Sequence, residues 1–147
     1  MKLIQKNKKA SFEYTFIDEY TAGIKLLGSE VKSIREGNVN IKNAHCIFEN
    51  GELFITGMHI AEYKQSGKHQ NHDPMRKKKL LLKKKELKKL TKGVEEKGNT
   101  IVPKALVLTK TGLFKLEIAL AKGKKLHDKR HDIKKKDLER DLERKLK

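Results

Sequence analysis

The stretch CIFENGELFIT, residues 46 to 56, sets two apolar runs on either side of Asn50-Gly51. Those two residues tolerate the positive backbone dihedrals of a tight turn between antiparallel strands, so the segment predicts a β-hairpin. The remainder of the chain supplies neighbours for it. Residues 11–17, SFEYTFI, alternate Phe12, Tyr14 and Phe16 with Ser11, Glu13 and Thr15, the period of a half-buried strand with three aromatics on one face. A second strand is expected near AGIKLLG, and MHIAEY extends the hairpin or adds a strand. In GNTIVPKALVLTKTGLFKLEIALAKG, Thr111-Gly112 marks a turn between two apolar strands, and Phe114, Leu116, Ile118 and Leu120 alternate with Lys115, Glu117 and Ala119.

Helices interrupt this pattern. GSEVKSIREG predicts about two turns: Ser29 caps the start, Val31 and Ile34 stand three apart, and Gly37 closes the end in a left-handed conformation. SGKHQNHDPMRKKK is rich in turn formers and positive charge and predicts an exposed loop. It leads to a helix begun at Asp73-Pro74 or slightly later, with Leu80, Leu87, Leu90 and Val94 as one narrow apolar stripe. The expected fold is mainly β, a small antiparallel β-barrel of oligonucleotide-binding type with two to three inserted helices, because closure protects the edges of a short sheet.

The chain has 147 residues, enough for one core plus appendages. Only 36% are hydrophobic while 37% are charged, so the core is modest and the surface ionic. The formal net charge of +17 points to polyanionic partners. A membrane fits less well than nucleic acid, since no stretch approaches the roughly 20 apolar residues needed to span one. The same charge opposes self-association, so a monomer is expected when free. MKLIQKNKKA has no apolar run behind it and Cys46 is the only cysteine, which together predict a cytoplasmic chain without a signal peptide or disulfide framework. Cys46 itself, inside AHCIF, is expected to be a buried structural thiol.

The chemistry-bearing groups are sparse. His127-Asp128 and His131-Asp132 pair imidazoles with carboxylates, yet both lie in the charged tail, where no apolar residues would hold ligands in place or exclude water. His69 and His72 stand three apart without further ligands and are expected on a polar surface loop. Phosphate-binding, nucleophile-elbow and dinucleotide glycine patterns are absent, so no catalytic residue, metal or cofactor is assigned. Lysine runs such as 76–79 and 83–85 suit phosphate contacts. With 5% aromatics, stacking on single-stranded bases is poorly supplied, and recognition of a folded RNA by shape and backbone is favoured. Three functions stay open on these grounds: an RNA-binding adaptor, a general structural or ribosomal RNA-binding protein, and an RNA hydrolase using the His-Asp pairs.

The last residues, HDIKKKDLERDLERKLK, place Leu138, Leu142 and Leu146 on a thin stripe with Ile133 nearly opposite. Asp141–Lys145 and Glu143–Lys147 are i,i+4 pairs worth about 0.2–0.5 kcal/mol each. Such a segment is marginal alone. It is expected to be disordered in free solution and helical on a phosphate-walled surface.

Four segments in order, IQKNKKASFEY, AGIKLLGSEVKSIREG, NHDPMRKKKLLLKKKEL and AKGKKLHDKR, resemble those of the SsrA-binding protein family (small protein B, SmpB). The resemblance spans nearly the whole chain. It implies a barrel, residues 1–122, that grips the tRNA-like domain of transfer-messenger RNA, and a charged tail, residues 123–147, that acts in the decoding centre and messenger channel of a stalled ribosome. Elongation factor Tu would share the delivery complex to the empty A site in trans-translation. By the same resemblance Asn7 and Leu81 match positions tied to RNA binding, and Lys8, Lys32, Arg35 and Arg76 sit in the same motifs as phosphate contacts. Asp128, Lys129 and Arg130 match the tail motif needed on the ribosome, His127 takes the stacking position before it, and Gly123 is the hinge. Phe12, Thr21 and Lys78 depart from the family pattern, where His, Glu and Arg are frequent. Glu30 has two readings, an acid of the RNA site or a favourable charge in the first turn of its helix.

Overall fold

The computed structural model describes residues 1–67, 71–124, 133–138 and 140. In chain order the elements are β1 (Lys2–Lys6), α1 (Lys8–Glu13), β2 (Tyr14–Ile24), α2 (Gly28–Arg35), β3 (Val39–Asn40), β4 (His45–Glu49), β5 (Glu52–Thr56), β6 (His59–Ile60), β7 (Lys78–Leu81), α3 (Lys84–Glu95), β8 (Asn99–Leu108) and β9 (Phe114–Gly123). A single 3-10 turn covers Lys64–Ser66, and residues 133–138 and 140 are helical. Neighbouring strands run β1-β8-β4-β5-β7-β2-β9, all antiparallel, and β9 pairs again with β8. Six strands thereby close a ring, with β1 added along the second half of β8. The short pair β3–β6 stands beside it.

The expected hairpins form. Asn50 and Gly51, at φ 51° and 78°, turn β4 into β5, and Gly112, at φ 84°, lies between β8 and β9. Along β9, Phe114, Leu116, Ile118 and Leu120 are buried inside the ring with Leu53, Ile55, Leu80, Ile101 and Leu106. Their neighbours in sequence face outward, where Val102 and Ala121 pack with Ala10 of α1. Thus α1 covers the outer face of the β8–β9 ribbon. α3 instead sends Leu90 into the core, and Gly93 lets it lie against Leu120 on the inner side.

Three elements differ from expectation. Residues 8–13 are helical, so Phe12 is not on the strand with Tyr14 and Phe16; Asn7 caps α1 by accepting the Ala10 N–H at 3.1 Å, and this local bond outweighs a short alternation of aromatics. AGIKLLG is no separate strand, because its first residues complete the eleven-residue β2. Leu80 belongs to β7, paired between β2 and β5, and the helix behind it starts only at Lys84. At Asp73-Pro74 there is a turn, held by the Met75 N–H on Asp73 Oδ1 and the Arg76 N–H on Asp73 O.

α2 follows the expected span with a different cap. Ser29 does not cap it; Glu30 Oε1 accepts the Leu27 N–H at 2.7 Å instead. Gly37, at φ 81°, closes the helix, with its N–H on Ile34 O and that of Asn38 on Ser33 O. Cys46 is buried, and burial pushes its thiol well up from the ordinary range. Among the described residues no helix is long and apolar enough to cross a membrane.

Candidate nucleic-acid interface

The first basic surface is built on Asn7. A register shift between Pro103 and Ala105 in β8 leaves carbonyls free of the ladder, which a proline at a bulge permits. Asn7 takes both: its N–H donates to Lys104 O at 2.7 Å and its Nδ2 to Pro103 O at 2.9 Å. The same Nδ2 reaches Ile41 O at 3.3 Å. Gln5 repeats the device, accepting the Ile41 N–H at 2.7 Å and donating to Val39 O at 3.1 Å. These two amides fasten the 39–44 loop to the chain between β1 and α1. Lys6, Lys8, Lys9 and Lys42 consequently surround a concavity of about 290 Å³ whose lining holds no carboxylate. Beside it, Lys9 Nζ donates to Asn43 Oδ1 at 3.0 Å.

Asn7 is 3% exposed and its side chain is spent internally, whereas Lys8 is exposed. The residue expected to touch a partner is therefore the anchor of those that face one. Gln5 and Lys42 escaped sequence reading, because their roles depend on a loop that lies 34 to 36 residues away in the chain.

The second basic surface is α2 with the loop packed on it. Glu30 is fully buried, and Arg76 meets it with both ends of its guanidinium, Nη2 to Oε1 at 2.6 Å and Nε to Oε2 at 3.2 Å. Arg76 Nη2 also donates to Lys25 O. Of its two readings Glu30 follows the helical one, with an added role as the counterion of Arg76. His72 is not on a polar surface: it is buried, Nε2–H donates to Ile60 O at 2.8 Å, and Nδ1 accepts from Ser29 Oγ at 2.8 Å. The carbonyl, which only accepts, fixes that tautomer. Ser33 Oγ donates to Ala61 O, and Asn71 binds both backbone groups of Tyr63. The result is a rigid platform from which Lys32 and Arg35 project into solvent. Lys32 Nζ lies 5.5 Å from the Tyr63 ring centroid.

Lys78 lies beneath this platform, fully buried, with Nζ donating to Met58 O at 2.8 Å. Burial lowers it to about 8, although Glu30 pulls the other way. Leu81 stands apart at the end of β7, 45% exposed and paired with Gly23, where an added methyl would sit 3.2 Å from the Leu81 Cβ. Thr21 is exposed on β2 beside the Glu19–Lys104 ion pair. Phe12 has Lys136 Nζ 5.7 Å from its ring centroid. Gly123 is the last residue of β9, paired with Tyr14, and the Lys124 N–H continues the contact to Glu13 O. His69, His127, Asp128, Lys129 and Arg130 lie outside the described residues.

Two basic surfaces, each fastened by internal hydrogen bonds, thus stand on a closed ring of strands, and comparison with known proteins supplies the lineage. The sequence matches the SmpB protein family over residues 4–147. The chain belongs to that family. It is 52% identical over 139 residues to the SsrA-binding protein of Christiangramia forsetii, covering 95% of this chain and 88% of the relative. The SsrA-binding protein of Thermosipho melanesiensis is 47% identical over 147 residues, with 100% and 99% covered. A solved chain described under "tmRNA-SmpB: a journey to the center of the bacterial ribosome" superposes with a TM-score of 0.68 at 43% identity, over 83% of this chain and 85% of that one.

Proposed function

We propose that this chain is an RNA-binding adaptor, not an enzyme, that holds the tRNA-like domain of transfer-messenger RNA and brings it to stalled ribosomes for trans-translation. Family membership over nearly the whole chain carries this reading, joined by the 43% identical relative whose description names both that RNA and the ribosome. The ring of strands reads as a barrel of oligonucleotide-binding type. Lys8, Lys32 and Arg35 are the phosphate contacts, with Leu81 as an apolar contact; Asn7 and Arg76 hold the basic surfaces in place from within. Elongation factor Tu belongs to the delivery complex, and the cytoplasm is where it forms.

The tail from Gly123 has the other half of the task. His127, Asp128, Lys129 and Arg130 act in the decoding centre, and the residues beyond them enter the messenger channel. A chain ending at Gly123 tests the division. It should bind the tRNA-like domain within about threefold of the full chain while peptide tagging on stalled ribosomes is lost. A truncated chain that still folds but binds that RNA more than tenfold more weakly would overturn the division.

A further inference from the structure

α3 has the same end charges as α2, Glu86 in its first turn and Lys92 in its last, but carries many more lysines. α2 carries Glu30 in its first turn and Lys32 and Arg35 in its last, the arrangement that the helix dipole favours. At the start of α3 stand Lys83, Lys84 and Lys85, cations at the end where the dipole opposes them. Lys84 and Lys88, Lys85 and Lys89, and Lys88 and Lys92 are like charges four residues apart, each pair unfavourable on an exposed helix. All five are exposed, and among the described residues the ion pairs engage Arg76, Lys77, Lys79 and Lys104 instead.

Few carboxylates face these lysines: Glu95 lines the same cavity as Lys84, Lys88, Lys89 and Lys92, and the remaining neighbours are engaged. Glu86 accepts the Lys83 N–H at 3.1 Å. The β4–β5 turn at Gly51 faces α3 across a cavity of about 510 Å³, and the acids flanking that turn, Glu49 and Glu52, pair with Lys77 and Lys79. Packing asks nothing of this side of the helix, since Leu90, Leu87 and Val94 face the core. A helix face that holds five exposed lysines to one acid against their like-charge repulsion marks a functional surface.

We propose that the exposed lysine side of α3 docks on the phosphate backbone of an RNA duplex, at a surface separate from the Asn7 corner. Separation follows from the β8–β9 ribbon, which α1 covers from outside and α3 from within the ring. Residues four apart rise about 6 Å along a helix axis, so Lys84, Lys88 and Lys92 form a row spaced like successive phosphates of one strand. No aromatic residue lies in α3 to stack on an unpaired base, which favours duplex over single strand. A lipid surface is disfavoured because the apolar side of α3 is turned into the core. The choice of RNA over DNA rests on the proposed function; the phosphate chemistry does not.

The test replaces Lys84, Lys85, Lys88, Lys89 and Lys92 together by glutamine in the full chain and titrates a short loop-free RNA duplex at several salt concentrations. Affinity at low salt should fall about tenfold or more, and the slope of log affinity on log salt should become shallower by about two to four. Binding of the tRNA-like domain should stay within about threefold, and the melting temperature should be unchanged or higher because repulsion is relieved. Duplex affinity and slope both within twofold of the parent would overturn the proposal. So would a variant that loses binding to polyglutamate but not to the duplex, which would mark the surface as one for acidic protein. Failure of the unaltered chain to bind the tRNA-like domain, with α3-dependent duplex binding intact, would remove the proposed function and leave this surface standing.

Discussion

Lys78 shows how a single residue can be legible in pattern and illegible in consequence. It alternates with Leu80 in β7, so both point into the ring, and the strand pairing on either side leaves the ammonium one hydrogen bond, to Met58 O. Nothing in RKKKLLL marks one lysine of three as buried. An unfolded lysine keeps its proton to 10.5 and the folded one releases it near 8, so between those values the unfolded state binds more protons and stability rises with pH. A shift of this size corresponds to about 3 kcal/mol. In chemical denaturation from pH 7 to 10.5, the stability of the parent chain relative to Lys78→Met should climb by about that amount above pH 8; a flat difference would show that Lys78 titrates alike in both states. Asn7 presents the converse case. The resemblance singled it out as tied to RNA binding, and the bulge at Pro103–Ala105 gives its buried amide a structural task there.

Among the elements, α2 and the loop before β7 behave as one unit. Ser29–His72, Glu30–Arg76 and Ser33–Ala61 join them at three successive points along the helix. Replacing Glu30 by alanine leaves Arg76 without its counterion and Leu27 without its cap, a loss of about 2–4 kcal/mol. Hydrogen exchange should then quicken together in residues 28–36 and 71–77, while the β8–β9 ribbon keeps its protection. Faster exchange in α2 alone would mean that the loop is held by other means. Elements signalled locally were readable in the sequence: the Asn50-Gly51 hairpin, the alternation of β9, and the Gly37 helix end. Those decided by distant pairing were not. KKLLLKK fits a helix as well as a strand, and only β2 and β5 make its first half β7. SFEYTFI alternates like a strand, but its first residues answer to a cap that begins four positions before it, at Asn7.

For the whole molecule, charge and closure make one statement. A net charge of +17 on 147 residues is held on a ring whose core is small, and two of its basic faces are locked by the buried Asn7 amide, the half-buried Gln5 amide and the buried Glu30 carboxylate. Composition announced a polyanionic partner, and membership of the SmpB family, matched over residues 4–147, is the ground for proposing transfer-messenger RNA as that partner. His127, Asp128, Lys129 and Arg130 lie outside the described part, and the proposed division at Gly123 stands on the truncation experiment. The most direct test of the central claim is the RNA that copurifies with the full chain from its own cells. Transfer-messenger RNA should dominate the recovered species, out of proportion to its abundance. Ribosomal RNA in fixed stoichiometry, with no enrichment of transfer-messenger RNA, would contradict the account and return the chain to the general class of ribosomal RNA-binding proteins.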